Sequence, residues 1–278
     1  MPTVSKINVA PVKALGLVHP DEVMLEPTGV RENRRFHLVD ERGSRYNQLR
    51  DGKLVQIRPE YDAASERLTL RFPDGTVADG EVVLAEETIV DFYGRPVRGR
   101  IVDGPWSEAL SRWAGRALRL VQSAPGAAVD RGGGHVSLVS EESLAELARH
   151  AGLEQVDGRR FRMLFHIVGC APHEEDEWLR RTVQVGDAVV RFRGDVGRCA
   201  ITTQNPDTGA PDLDTLRTID SYRARTHNAA GKEHIPFGIY GEVVRAGVVR
   251  VGDAVEPLEL ELPLDSSFQT DARQSRAS

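Results

Sequence analysis

Residues 196–209 read VGRCAITTQNPDTG and hold Cys199, one of two cysteines in a chain of 278 residues. The cysteine follows Arg198 and precedes a Thr-Thr pair, and the stretch then ends in Asn, Pro, Asp, Thr and Gly. Asn, Pro, Asp and Gly favour turns, so the stretch predicts an ordered loop that presents Cys199. The neighbouring Arg198 would favour the thiolate form, which is a nucleophile or a ligand for a soft metal. The alternative is that Cys199 is an inert, buried small side chain.

The composition, with 40% hydrophobic and 28% charged residues, is that of an ordinary globular protein. The net charge of −6 argues against a nucleic-acid partner. Two cysteines are too few for a disulfide framework or a usual iron–sulfur cluster. The sequence has no apolar run long enough for a membrane span and no signal-peptide pattern at its N-terminus. We therefore expect a cytoplasmic protein with no membrane partner.

Strand patterns dominate on both sides of the loop. Alternating β-branched runs separated by turn residues predict a β-rich region over residues 1–100. The unit V-x-V-G-D-A-V occurs at 183–189 and again at 249–255, and its Gly-Asp pair predicts a hairpin each time. The stretch RRFRMLFHIVGC at 159–170 also has a strand-like pattern, which would place Arg160 and Arg162 on one face. These patterns indicate a barrel or a sandwich.

Helical patterns are few. One lies in PWSEALSRWAG at 105–115, where two tryptophans and a leucine share a face, and it ends at Gly115. A second begins after Ser140 as N-cap and ends at Gly152. A third, short helix is predicted within residues 212–223.

Several common enzyme signatures are absent from the sequence. It contains no P-loop, no H-E-x-x-H zinc motif and no G-x-S-x-G elbow. The glycine run at 132–134 leads into a strand pattern rather than a helix, which argues against a Rossmann dinucleotide site.

Basic residues form groups within this acidic chain, and two guanidinium groups on one face can clamp a phosphate. The alternative is that these cations form surface ion pairs with the 42 acidic residues. The residues concerned are Lys13, Arg34, Arg35, Arg159, Arg160 and Arg162.

With its surroundings, the cysteine stretch resembles a MOSC domain, the module found in molybdenum cofactor sulfurase and in the mitochondrial amidoxime-reducing component. The motifs that carry the resemblance are R-C-x-x-T-T-x-x-P-D-T-G, then LDTLRTIDSYR, with RRFR and EDEW upstream and VRVGDAV downstream. PVKALG at 11–16 and NRRFHLVDERG at 33–43 resemble the companion N-terminal β-barrel domain. The resemblance covers roughly residues 4–260.

This resemblance implies a mainly β fold with a few helices (α+β), in which a MOSC-type β-barrel packs on an N-terminal β-barrel-like domain. We expect the N-terminal domain over residues 1–100, the MOSC domain over residues 101–264 and a disordered tail over residues 265–278.

The resemblance also implies a pterin-bound molybdenum cofactor, with Cys199 as the thiolate ligand of the metal and the catalytic centre. Lys13, Arg34 and Arg162 match the family positions that hold the pterin and its phosphate. Further cofactor contacts are expected from Gly134, His135, Ser137, Asp176, Arg198 and Thr202.

The chain departs from the family pattern at a few of these places. Ala14 and Asn33 replace a serine and an aspartate, and Met163 and Leu164 replace the Pro and Asn that follow the family's R-F-R. Leu164 cannot donate a side-chain hydrogen bond to a cofactor.

Three functions are compatible with this pattern. The first is a molybdenum-dependent oxidoreductase that reduces N-hydroxylated or N-oxide-type small molecules with electrons from a separate reductase or ferredoxin-like protein. The second is a persulfide carrier that uses Cys199 and receives sulfur from a cysteine desulfurase. The third is a cofactor-binding protein without turnover. Cys170 is predicted to be structural, with a second thiol near the site as the alternative.

Overall fold

The computed structural model describes residues 1–127, 129, 135–228 and 230–258. The expected disordered tail and Gly134 lie outside these residues. The strands of the described part are β1 (Thr3–Ile7), β2 (Glu22–Glu26), β3 (Gly29–Val30), β4 (Phe36–Asp40), β5 (Arg45–Tyr46), β6 (Arg58–Asp62), β7 (Arg67–Arg71), β8 (Val77–Glu81), β9 (Val83–Asp91), β10 (Pro96–Asp103), β11 (Leu118–Ser123), β12 (Val136–Ser140), β13 (Phe165–Val168), β14 (Thr182–Val185), β15 (Ala188–Gly197), β16 (Thr226–His227), β17 (Glu233–His234), β18 (Pro236–Arg245), β19 (Gly247–Arg250) and β20 (Val255–Pro257).

The helices are short and lie between these strands. The α-helices are α1 (Trp106–Ala114), α2 (Glu141–Ala151) and α3 (Thr215–Asp220). The 3₁₀ helices are Gly52–Gln56, Gly158–Phe161, Glu174–Trp178 and Ala200–Thr203. The mainly β fold with a few helices is therefore confirmed.

A seven-stranded sheet forms the first half of the architecture, in the order β1-β13-β12-β18-β15-β14-β20. Beyond β20 the sheet turns back toward β1, since Thr3 forms a bridge with Ala254 and the amide of Val255 donates to the carbonyl of Pro2. The sheet is thus a nearly closed barrel. Its interior holds large apolar side chains such as Phe165 and Phe192, both fully buried.

A five-stranded sheet, β5-β4-β11-β10-β9, and a three-stranded sheet, β6-β7-β8, build the other half. Helix α1 covers their shared core, where Trp106 is fully buried and its Nε1 donates to the carbonyl of Leu68 at 3.1 Å. Strands of the N-terminal region also pair with strands from the barrel side of the chain: β1 pairs with β13, and β2 pairs with β19. Strand β11, which follows α1, completes the five-stranded sheet by pairing with β4 and β10.

The predicted helix boundaries agree with the structure. The side chain of Ser140 caps α2 by accepting from the amide of Ser143 at 3.1 Å, and Gly152 ends it with φ +68. Gly115 ends α1 in the same left-handed conformation. Local capping chemistry decides these ends, because a glycine pays no steric penalty at positive φ.

Two predictions from strand patterns are wrong. The first V-x-V-G-D-A-V unit forms the β14–β15 hairpin, but in the second unit β19 pairs with β2 and β20 pairs with β14. The arginine-rich run is not a strand at its start: residues Gly158–Phe161 form a 3₁₀ helix capped by Asp157, and β13 begins at Phe165. No helix in the described part of the chain is long and apolar enough to cross a membrane.

Candidate functional site

A cleft of about 1020 Å³ lies between the two halves of the molecule, at the open end of β15. Residues from both halves line it, with Lys13, Arg34 and Tyr93 on the N-terminal side. Cys199 lies on the opposite side, where β15 ends. Clefts between domains are frequent ligand sites, and this one gathers most of the predicted residues. The predicted residues in its lining are Lys13, Arg34, Ser137, Arg162, Arg198, Cys199 and Thr202.

Cys199 is exposed and stands at the N-terminus of the 3₁₀ helix Ala200–Thr203, with no hydrogen bond from its side chain to the helix. Its carbonyl accepts from the amide of Thr202 at 3.1 Å and from the Thr202 hydroxyl at 3.0 Å. The same hydroxyl lies 2.7 Å from the hydroxyl of Thr215, which fastens the loop to α3. Thr202 therefore positions the backbone of Cys199, and the thiol is left facing the cleft.

The rest of the loop is held by internal hydrogen bonds, as its turn residues predict. The side chain of Asn205 accepts from the amides of Asp207 at 2.8 Å and Thr208 at 3.1 Å. Gly209 lies against Gly52 so closely that a Cβ on either residue would overlap the other's backbone. This contact fixes the Cys199 loop to the N-terminal half.

The cleft is strongly cationic, although the chain carries a net charge of −6. Among the described lining residues, the only carboxylates are Asp195 and Glu233. Such a concentration of positive charge in a partly enclosed site favours an anionic ligand. The nine cationic side chains are Lys13, Arg34, Arg160, Arg162, Arg180, Arg193, Arg198, Arg225 and Lys232.

Arg34 and Arg162 meet across the cleft. Nη2 of Arg34 donates to the carbonyl of Arg162 at 3.1 Å, and Nη2 of Arg162 donates to the carbonyl of Leu15 at 2.8 Å. Both arginines have left-handed backbones, with φ of +54 for Arg34 and +51 for Arg162. The sequence predicted both residues, but not their conformation.

Strained backbone is concentrated around this cleft. Five of the seven described non-glycine residues with positive φ line it. Left-handed conformations of this kind cost about 1–3 kcal/mol each and cluster at functional sites, where the surrounding structure holds them. The five are Ala14, Arg34, Tyr93, Arg162 and Arg180.

Two of the predicted cofactor residues, Arg198 and Ser137, also form hydrogen bonds with backbone groups of neighbouring elements. The guanidinium of Arg198 donates to the carbonyl of Phe237 at 2.8 Å and to that of Phe161 at 3.1 Å, so it ties β15 to β18 and to the 3₁₀ helix before Arg162. The hydroxyl of Ser137 accepts from the amide of Leu164 at 3.0 Å. Both side chains still border the cleft.

His135 and Asp176 lie outside the cleft lining. His135 borders a smaller pocket of about 350 Å³ next to it, which Arg34 and Ser137 share, and burial lowers the pKa of the His135 imidazole. Asp176 pairs with Arg223, at 2.5 Å between Oδ2 and Nη2. Their roles toward a cofactor, and that of Gly134, stay predictions.

Two of the residues that depart from the family pattern, Leu164 and Asn33, form backbone hydrogen bonds within the fold. Leu164 is fully buried in the barrel core, and its backbone carbonyl accepts from the amide of Asn8 at 2.7 Å. Leu164 therefore faces the core and not the cleft. The side chain of Asn33 accepts from the amide of Ala10 at 3.0 Å and so supports the turn that carries Arg34.

The sequence reasoning missed a histidine–aspartate pair in the cleft wall. Nε2 of His234 lies 2.5 Å from Oδ1 of Asp195 and 3.0 Å from the hydroxyl of Thr226. A Cβ on Gly197 would lie 2.8 Å from the His234 ring, so only glycine allows the ring to approach the strand here. The glycines on both sides of Asp195 in RGDVGR were the available signal, because glycine inside a strand often marks such an approach.

Cys170 lies apart from the cleft, and its structural role stays a prediction. It packs against the barrel core, and burial together with the carboxylates of Glu142 and Glu175 raises the pKa of its thiol to about 12. It is absent from the lining of the cleft. Within the described residues, no group of three or more His, Cys, Asp or Glu side chains is arranged to hold a metal ion.

Comparison with known proteins identifies the family. Residues 1–113 match the MOSC N-terminal beta barrel domain, and residues 131–256 match the MOSC domain. The chain belongs to the MOSC domain proteins. In this MOSC protein the cleft lies between the two matched regions, with the Cys199 loop contributed by the MOSC domain.

Similar curated proteins are amidoxime-reducing components. The mitochondrial amidoxime reducing component 2 of Bos taurus is 34% identical over 123 residues, which cover 43% of this chain and 36% of the relative. The match thus spans about a third of that relative's length. The mitochondrial amidoxime-reducing component 1 of Xenopus laevis is 27% identical over 288 aligned residues, covering 91% of this chain and 81% of the relative. Among solved structures, the YuaD protein of Bacillus subtilis aligns with a TM-score of 0.45 and 12% identity, covering 92% of this chain and 96% of that one.

Proposed function

We propose that the cleft binds a pterin-bound molybdenum cofactor and that the protein is an oxidoreductase for N-hydroxylated or N-oxide-type small molecules. The observation that carries this proposal is the exposed thiol of Cys199 at a cleft lined by nine cationic side chains. The family membership and the names of the relatives support it.

The chemistry of the lining fits an anionic, metal-bearing ligand. Cys199 would supply a soft thiolate to the metal. Lys13, Arg34 and Arg162 would hold the phosphate and the pterin, because guanidinium groups bind phosphate oxygens in pairs. Leu164 does not interfere with this fit, since its side chain lies in the barrel core.

The bound cofactor would supply two-electron redox chemistry. In the net reaction the N–O bond of the substrate breaks, two electrons and two protons are consumed, and water is formed. An N-hydroxylated substrate gains an N–H bond in its place, whereas an N-oxide is left as the free amine. The pair of His234 and Asp195 is suited to hold and deliver a proton, because the carboxylate orients the imidazole at the cleft wall.

The electrons would come from a separate reductase or ferredoxin-like protein. The two cysteines of the chain are too few for a cluster of its own. A cytoplasmic location stays a prediction, and the names of the relatives place those proteins in mitochondria.

Molybdenum per chain is the decisive measurement, made by elemental mass spectrometry on protein from a host that synthesises the cofactor. We expect near-stoichiometric molybdenum in the wild type and its loss, or an altered metal spectrum, in Cys199→Ala. Cys170→Ser is the matched control and should retain the metal.

Two other outcomes would decide against the proposal. If metal and pterin are missing from the wild type, the molybdenum function is wrong. A persulfide on Cys199 that forms with a cysteine desulfurase and without molybdenum would then support a sulfur carrier, which the exposure of this thiol also allows. Bound cofactor without turnover of any N-hydroxylated substrate would indicate a binding protein.

A further inference from the structure

A second cavity, of about 810 Å³, adjoins the cleft behind its arginine wall. The two cavities share Gln48, Arg160, Arg162 and Ile201 in their linings. A ligand whose phosphate lies at Arg162 therefore has this second cavity next to the phosphate. We call this space the rear pocket.

The rear pocket combines three kinds of surface. Its apolar residues can enclose a flat ring, and its amides can pair with the polar edge of one. The apolar residues are Leu17, Val18, Val55, Pro59, Pro73, Ile201 and Pro206, and the amides are Gln48, Gln56, Gln204 and Asn205. The cations are Arg58, Arg159, Arg160 and Arg162, and the carboxylates are Glu60 and Asp207.

The pocket is built at a fixed junction of the two halves. Nε2 of Gln204 donates to the carbonyl of Gln48 at 2.9 Å, and Nε2 of Gln56 donates to the carbonyl of Thr208 at 3.3 Å. Arg159 pairs with Asp207, at 2.8 Å between Nη1 and Oδ1. The two glutamine bonds join the N-terminal half to the Cys199 loop, and the ion pair joins that loop to the 3₁₀ helix Gly158–Phe161. The pocket is therefore formed before any ligand arrives.

Two buried polar atoms in its wall lack a partner. The side chain of Arg160 is 8% exposed and pairs with Asp212 at 2.6 Å, but its Nε has no hydrogen-bond partner. Oε1 of Gln204 is also buried without one. Unsatisfied buried polar groups are costly, so the wall of the rear pocket holds one donor and one acceptor whose hydrogen bonds are unmade.

We propose that the rear pocket binds a nucleotide. Its phosphate would lie at Arg160 and Arg162, and its base would lie between the apolar walls with its polar edge toward the amides. The carboxylates of Glu60 and Asp207 can accept hydrogen bonds from the ribose hydroxyls. The nucleotide is either free or joined through its phosphate to the phosphate of the cofactor in the cleft, and the second form rests on the proposed function.

Two measurements on the purified full-length protein test this. In the first, protein from a host that synthesises the cofactor is denatured, and molybdenum, pterin and nucleotides are quantified per chain by mass spectrometry. In the second, AMP, CMP and GMP are each bound to the protein in equilibrium dialysis, with inorganic phosphate as the comparison ligand.

The variants are Arg58→Ala and Gln204→Leu, and the matched control is Arg67→Ala. Arg58 is exposed and lines the rear pocket. Arg67 lies on the neighbouring strand β7, is also exposed, pairs with Asp79 and lines neither cavity. We expect about tenfold weaker nucleotide binding from the loss of one charge-assisted hydrogen bond in Arg58→Ala. Gln204→Leu should also weaken binding, and Arg67→Ala should not.

Each outcome decides one statement. Equal amounts of nucleotide and pterin released from the protein support the joined form, and dialysis binding without released nucleotide supports the free form. Molybdenum and pterin without any nucleotide, in either measurement, overturns the rear-pocket proposal and leaves the proposed function standing. Nucleotide without molybdenum overturns the proposed function and leaves the rear-pocket proposal standing. Inorganic phosphate that binds as tightly as the nucleotides, or equal binding in all three variants, also overturns the proposal.

Discussion

Nη2 of Arg34 donates a hydrogen bond to the carbonyl of Arg162 at 3.1 Å, although 128 residues separate the two along the chain. Both residues hold left-handed backbones, so the contact joins two strained turns from opposite halves. A ligand phosphate at this point would touch both halves at once. The cationic cleft therefore connects the two halves as well as providing a binding surface.

Arg34→Ala should lower bound pterin and molybdenum at least tenfold, because it removes one charge and the hydrogen bond to Arg162. Arg34→Lys keeps the charge but loses the guanidinium geometry, so it should fall between the alanine variant and the wild type. Arg31→Ala is the control, since Arg31 pairs with Glu66 at 3.0 Å and does not line the cleft. Equal cofactor content in Arg34→Ala and Arg31→Ala would contradict the assignment.

Alkylation should separate the two cysteines. Iodoacetamide at pH 8 is expected to label Cys199, which is exposed, and to leave Cys170 unlabelled in the folded protein. Burial and two carboxylates raise the pKa of the Cys170 thiol to about 12, so it stays protonated at this pH. Peptide mass spectrometry gives the readout, and Cys199→Ser should abolish the label. Rapid labelling of Cys170 in the native state would show that this thiol is not held as described.

His234→Gln and Asp195→Asn should lower kcat by about 10²-fold or more with a smaller change in KM, as expected for loss of a proton donor. Steady-state kinetics with an artificial electron donor and an N-hydroxylated substrate give both constants. Molybdenum content should not change. His227→Gln is the control, because His227 also lines the cleft but lies outside this pair. If it lowers kcat as strongly, the effect belongs to the cleft wall in general.

The free energy of unfolding should decrease at acid pH, partly because of His37. This side chain is buried, its Nδ1 lies 2.9 Å from the Ser123 hydroxyl, and burial together with Lys13 lowers its pKa to about 3. Between pH 6.5 and 3 the unfolded chain binds a proton here that the folded chain does not. The contribution of neutral His37 to the free energy of unfolding is therefore complete above about pH 6.5. It is lost as the pH falls below that value, by about 1.4 kcal/mol per pH unit.

Urea unfolding of His37→Gln between pH 7 and 4 checks this. The slope of the unfolding free energy against pH should decrease relative to the wild type, while some slope remains because burial also lowers the pKa of His173 to about 4. An unchanged slope in His37→Gln would mean that His37 is not held neutral in the fold.

Gly209→Ala should destabilise the protein by about 1–3 kcal/mol and loosen the Cys199 loop. The added Cβ would overlap the backbone of Gly52, and the position also has φ +75. Gly75→Ala is the matched control, with φ +86 but no atom within 4 Å of the added Cβ. Thermal unfolding should show the larger loss for Gly209→Ala, and equal losses would mean that the glycine contact is not a constraint.

The sequence predicts those features that short-range chemistry decides. The cap at Ser140, the stop at Gly152 and the first Gly-Asp hairpin follow from residues within a few positions of each other. The identical Gly-Asp unit near the C-terminus fails as a hairpin because β2 and β14 compete for its two strands. Partners at such long sequence separations are not visible in a local pattern.

The same limit applies to the candidate site. Seven of the predicted residues line one cleft. They could be predicted because they belong to motifs of both halves that occur together in one family. The pair of Asp195 and His234 escaped notice, since 39 positions separate the two residues and neither belongs to a motif. The 3₁₀ helix before Arg162 was also missed, because its cap at Asp157 overrides a strand-like run of arginines.

The pairing of the N-terminal β1 with β13 of the barrel has a consequence for the evolution of such a protein. If recombination passed on residues 131–256 without residues 1–113, β13 would lose its neighbour β1 and present an open strand edge. Open edges of this kind promote aggregation between molecules. We therefore expect genomes to carry the two regions fused and inherited as one unit whenever β1 pairs with the barrel in this way.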